Sequence, residues 1–267
     1  MILNNKNAII YGAGGSIGST VAKAFANAGA TVFLSGRHLD SVRKIADEII
    51  ASGGKAEAAA VDAMDEKAIH NYINDVINRA GTIDISFNLI DLQVVQNLPL
   101  VDMTMADFIR PTTIAMQSHF LTDTAAARVM MKQGSGVILT LTATPGAIAY
   151  PGVAGFGPAC SAMETLSRNL ASETGPYGVR VVNIRSGGSP DSLVFKNAIE
   201  SMPKEMKIVL GKMEADTMLK SLPLMADIAN TAVFLASPLA GKITGVTIDV
   251  TCGTTAGLNY RSAKIDR

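Results

Sequence analysis

The chain of 267 residues contains no tryptophan, only two cysteines and 5% aromatic residues. Cys160 and Cys252 stand apart from each other and from any histidine cluster, so neither a disulfide framework nor a metal site is expected. Neither charge sign is in excess: Lys+Arg and Asp+Glu are both 23. With no run of lysine and arginine, the electrostatic footprint of a nucleic-acid binder is missing. No apolar run reaches the ~18 residues that a bilayer-spanning helix requires. The opening segment, Met1 to Asn7, is short and polar and leads straight into a strand, so no secretion signal is expected. These absences predict a cytoplasmic protein with no nucleic-acid or membrane partner. What is present is 48% hydrophobic and 17% charged residues, the balance of a globular interior. Thirteen methionines point to an adaptable apolar interior or pocket.

The length fits one α/β domain over residues 1–267, with no Pro/Gly/Ser-rich linker and no internal repeat. Short β runs alternate with helical ones. Strands are expected at 8–11, 31–34, 58–61, 83–87, 137–141, 179–184 and 247–250. Helical stripes recur between them, for example Ile17, Val21 and Phe25, or Ile69, Ile73 and Val76. Long helices are expected over about 105–131 and 154–173 and a late one over 227–236, while 190–222 reads as irregular or short-helical. Repeated β-α units imply a Rossmann-type, doubly wound parallel sheet in three α/β/α layers. Between the first strand and first helix lies Tyr11-Gly12-Ala13-Gly14-Gly15-Ser16-Ile17-Gly18. Glycine there lets the backbone turn tightly and approach a pyrophosphate, with the helix amides facing the anion.

That turn resembles the T-G-x-x-x-G-x-G fingerprint of the short-chain dehydrogenase/reductase family, and the resemblance extends over about residues 5–255. Gly12 and Gly18 match its outer glycines; Tyr11 stands for the Thr and Ser16 for the middle glycine, where a small hydroxyl residue fits and can donate to phosphate. The resemblance implies an NADP(H)-dependent oxidoreductase of a small carbonyl or hydroxyl compound, assembled as a homo-oligomer (dimer or tetramer). It assigns Gly12, Ser16, Ile17, Gly18, Arg37, Asp62 and Asn88 to the cofactor. After the second strand, Ser35-Gly36-Arg37 offers no carboxylate for ribose hydroxyls but a guanidinium suited to a 2′-phosphate. Asp62 matches the family's adenine-binding Asp. The family's Asn-Asn-Ala-Gly is Asn88-Leu89-Ile90-Asp91 here, which adds bulk and a negative charge.

The family's catalytic tetrad is Asn, Ser, Tyr and Lys, and a gap-free register places Ala115, Ala143, Phe156 and Cys160 on those four positions. Alanine and phenylalanine cannot relay a proton, and cysteine lacks the fixed positive charge of lysine. The four positions are therefore expected to be inactive as a relay. Three nearby groups are possible substitutes. Tyr150, in a Tyr-Pro-Gly stretch, reads as a surface residue; His119, one turn beyond Ala115, as a packed or solvated one; Cys160 as an inert buried thiol. Thr142 and Thr144 flank Ala143 and by strand alternation point away from it. Two readings follow: an oxidoreductase with a non-standard proton relay, or a catalytically silent ligand-binding or partner subunit on the same fold.

Overall fold

A computed structural model describes residues 1–257; the single-domain expectation for 258–267 lies outside the described residues. The strands are β1 (Asn7–Tyr11), β2 (Thr31–Gly36), β3 (Lys55–Ala60), β4 (Ile85–Asn88), β5 (Gly136–Ala143), β6 (Val179–Ser186) and β7 (Thr247–Val250). All pair in parallel, in the order β3-β2-β1-β4-β5-β6-β7. The helices are α1 (Ser16–Asn27), α2 (Leu39–Ala51), α3 (Glu66–Ala80), α4 (Met105–Gln133), α5 (Phe156–Thr174), α6 (Leu193–Ser201), α7 (Pro203–Ala215) and α8 (Met225–Ala236). This is the expected Rossmann-type architecture. The chain order reverses between β1 and β4, and in open parallel sheets ligands bind outside the strand ends at such a switch point.

Burial on both faces explains why the strands read as unbroken apolar runs. Along β1, Ala8 and Ile10 pack with α1 and α8 on one face, while Ile9 and Tyr11 pack with α3 and α4 on the other. β3 begins three residues before its expected start, because its alanine-rich edge, half-exposed, carries little apolar signal. Local chemistry sets the helix ends. Asp65 caps α3 by accepting from the amides of Lys67 and Ala68, and Thr104 caps α4 by accepting from Asp107 N–H. The 190–222 segment holds two real helices, α6 and α7, in which Met206 alone is buried. With so little apolar stripe, periodicity could not reveal their full extent.

Candidate active site at the carboxyl ends of the strands

The glycine turn sits at the end of β1, beside the end of β4. Gly12 has φ +71°, and a Cβ there would stand 2.5 Å from the carbonyl oxygen of Leu89. At Gly18 a Cβ would collide with the carbonyl of Gly12, so the turn and α1 pack backbone to backbone. No side chain caps α1 at Gly15, which leaves the first-turn amides of Ser16, Ile17 and Gly18 without side-chain acceptors. A cavity of about 250 Å³ opens at Gly14, Gly15 and Ser16, lined also by Asp191, Lys196 and Met225. Ser16 Oγ accepts from the Leu193 amide at 3.3 Å, so the start of α6 rests on the start of α1. Asp191 is engaged elsewhere, accepting from Met225 N–H at the start of α8.

Arg37 is exposed at the end of β2. Asp62 is exposed too, its Oδ1 accepting from Met64 N–H at 3.0 Å. Asn88 is buried; its amide donates to Thr122 Oγ1 and its carbonyl accepts from Ile90 N–H, so it shapes the loop after β4. Asp91 turns outward and accepts from Gln93 N–H.

The structure brings Ala115, Ala143, Phe156 and Cys160 together. They share one apolar cluster with Leu92, Ala159 and Met163, in which Ala115 and Cys160 are fully buried. Gly155, the residue before Phe156, lies so close to the backbone of Phe108 that a Cβ would collide with it; α5 therefore starts hard against α4. Burial pushes the Cys160 thiol up to about 11, against a smaller opposing pull from the backbone of Ala143. A thiol held protonated is a poor nucleophile. Iodoacetamide at pH 8 is accordingly expected to alkylate the partly exposed Cys252 and to spare Cys160 until the protein is denatured, a pattern read by peptide mass spectrometry.

Two polar side chains near these four positions are placed unequally. His119 is 3% exposed, with Nδ1 3.1 Å from Asp123 Oδ2 on the same helix. Tyr150 is 44% exposed and its hydroxyl lies 3.1 Å from Thr144 Oγ1. Strand alternation held for Thr142, which turns into the interior, but not for Thr144. β5 ends at Ala143, and Thr144 opens a 3₁₀ turn whose geometry no longer alternates.

Sequence reasoning missed a buried ion network beneath the cluster. Glu164, one helical turn beyond Cys160, accepts from Arg185 Nε at 3.0 Å and Nη2 at 2.6 Å, and from Thr142 Oγ1 at 3.0 Å. Arg185 Nη1 reaches Asp249 at 2.8 Å, tying α5, β6 and β7 together. The available signal was a glutamate on the buried face of an apolar helix and an arginine near the end of a buried strand. A second missed feature is Tyr11, whose buried hydroxyl has no hydrogen-bond partner among the described residues. Burial raises that phenol's pKa, and its ring meets Tyr72 edge to face at 6.1 Å.

A family model described as "Enoyl-(Acyl carrier protein) reductase" matches residues 12–255. The chain is 32% identical over 257 residues to the 7alpha-hydroxysteroid dehydrogenase of Escherichia coli (strain K12), covering 96% of this chain and 97% of that one. A solved 7alpha-hydroxysteroid dehydrogenase, complexed with NADH and 7-oxo glycochenodeoxycholic acid, is 33% identical, with a TM-score of 0.82 and 94% of each chain covered. NAD+-bound xylitol dehydrogenase shares the fold, with a TM-score of 0.88 at 24% identity over 95% of this chain and 100% of that one. The chain belongs to the short-chain dehydrogenase/reductase family, a lineage of oxidoreductases.

Proposed function

We propose that the protein is an NADP(H)-dependent oxidoreductase acting on a small carbonyl or hydroxyl compound through a non-standard proton relay. The observation that carries this reading is the open start of α1. The start of α1, uncapped by any side chain, opens onto a cavity of about 250 Å³ lined by Gly14, Gly15 and Ser16, with Lys196 also on its wall, and offers backbone amides as donors. That donor set fits a dinucleotide diphosphate, and relatives of the same length carry nicotinamide cofactors in their solved structures. Gly12, Ser16, Ile17 and Gly18 would hold the diphosphate, Arg37 a 2′-phosphate, Asp62 the adenine, and Asn88 the loop beside them. A bound nicotinamide supplies hydride chemistry; the chain itself must position the substrate, exclude water and deliver the proton.

Calorimetric titration with NADPH and NADH tests the reading. Binding of NADPH in the micromolar range supports it, and no binding at millimolar cofactor overturns it. If Arg37 reads the 2′-phosphate, Arg37→Ala is expected to weaken NADPH about 10- to 100-fold, the worth of a hydrogen-bonded charge contact, and to leave NADH unchanged. Equal loss for both cofactors would remove Arg37 from that role.

A second reading, a catalytically silent ligand-binding or partner subunit, is favoured by the apolar cluster at Ala115, Ala143, Phe156 and Cys160, which offers no group able to relay a proton near neutral pH. NADPH binding without turnover of any carbonyl probe would select it. In either case we propose a single-domain, cytoplasmic homo-oligomer with a small-molecule ligand.

A further inference from the structure

We propose that Tyr150 is the proton donor of this enzyme, with Thr144 as the residue that positions it. The inference rests on the oxidoreductase reading above, and it moves the phenol from the helix position now held by Phe156 to the loop before it.

Three observations carry it. The Tyr150 hydroxyl and Thr144 Oγ1 are 3.1 Å apart, and Thr144 directly follows Ala143 at the end of β5. A hydroxyl pair thus stands beside the position where the family's own hydroxyl pair has been lost. The turn between Thr144 and Tyr150 also lies against the same cluster: a Cβ on Gly146 would stand 3.0 Å from the Cys160 Cβ. Finally, the segment is held in place. The amides of Ala147 and Ile148 close onto the Thr144 carbonyl, and Asn97 N–H donates to Gly152 O at 2.8 Å, pinning the segment to the loop after β4. Ala154 adopts a left-handed φ of 54° just before α5. That region favours glycine, and such strain gathers at functional sites.

The competing groups are worse placed. His119 is enclosed with Asp123, and Cys160 is fully buried. Tyr150 is partly open to water and can be reprotonated from it. Burial raises its pKa above the ordinary phenol value, more than the Thr144 hydrogen bond lowers it. The phenol therefore keeps its proton at neutral pH and holds one to donate in the reducing direction.

The carbonyl π bond breaks, its carbon gains a hydride from the reduced nicotinamide, and its oxygen gains the Tyr150 proton. The carbonyl is reduced, the nicotinamide is oxidised, and water returns a proton to the phenolate.

The test uses the full chain with NADPH and phenanthrenequinone as a generic carbonyl probe. Tyr150→Phe is expected to lower kcat/KM about 100-fold or more with unchanged NADPH affinity, whereas Tyr177→Phe, a distant exposed tyrosine, changes neither. Adding Phe156→Tyr to Tyr150→Phe restores a donor at the helix position and recovers turnover. Ligand-free protein gives a readout independent of activity. The Tyr150 component of the ultraviolet phenol titration, identified by its loss in Tyr150→Phe, shifts to higher pH in Thr144→Val and returns in Thr144→Ser. Wild-type protein that binds NADPH but does not reduce the quinone overturns the assignment and leaves the cofactor reading standing, as does full activity in Tyr150→Phe. Failure to bind NADPH removes the cofactor reading and this one with it. A Tyr150 titration unmoved by Thr144→Val overturns the positioning role.

Discussion

Replacing Arg185 by leucine is expected to lower the stability of the protein by about 3–5 kcal/mol, the cost of leaving one member of a buried ion pair without its partner. The side chains of Arg185 and Glu164 are 13% and 6% exposed, and two of the arginine's nitrogens bond the same carboxylate. Without the guanidinium, Glu164 retains only the Thr142 hydroxyl as a side-chain partner among the described residues. Asp249, more exposed, loses a contact of smaller worth. Urea denaturation should show the midpoint falling with little change in slope. The double variant Glu164→Leu/Arg185→Leu should be more stable than Arg185→Leu alone, because removing both partners leaves no buried charge. A loss under about 1 kcal/mol in the single variant would mean that the network is solvated and does not fix α5 against β6 and β7.

Gly12→Ala is expected to destabilise the fold by about 2–5 kcal/mol and to remove nucleotide binding as well. Two costs add at this position. A side chain at φ +71° costs about 1–2 kcal/mol. The new methyl would stand 2.5 Å from the Leu89 carbonyl oxygen and 2.8 Å from its carbon, so either the turn or the loop after β4 must move, at about 1–3 kcal/mol. That same displacement would carry the α1 amides out of register with the diphosphate they are proposed to hold. Thermal unfolding and NADPH titration of one preparation measure both effects. A variant as stable as the wild type would show that the loop yields freely at Leu89.

Much of the fold can be read from local patterns. Strands β1, β2 and β5 are buried on both faces and announce themselves as apolar runs; the glycine turn stands out by its spacing. α4 and α5 were legible as long helices to within two residues at each end. The pairing of His119 with Asp123 is one turn of helix and was within reach of a spacing rule. The Glu164–Arg185 pair was not, since it joins a helix to a strand 21 residues away. Ser16 shows the same limit. Its hydroxyl, proposed above as a donor to phosphate, also accepts a hydrogen bond from Leu193 N–H, 177 residues further along the chain. The Thr144–Tyr150 contact lies within a loop, where neither a helical nor a strand period exists to place side chains.

By itself, the sequence determined the order of the elements, the parallel sheet they must form, and the chemical identity of the residues at Ala115, Ala143, Phe156 and Cys160. It did so because burial imposes a period on strands and helices, and because a missing hydroxyl or amine is missing in any conformation. Only the tertiary structure decided that these four side chains gather in one apolar cluster, that an ion network lies beneath it, and that a tyrosine hydroxyl stands beside it on Thr144. The physical reason is range. Packing and hydrogen bonds depend on distances across the folded sheet, and these exist only once distant segments have met at the carboxyl ends of its strands.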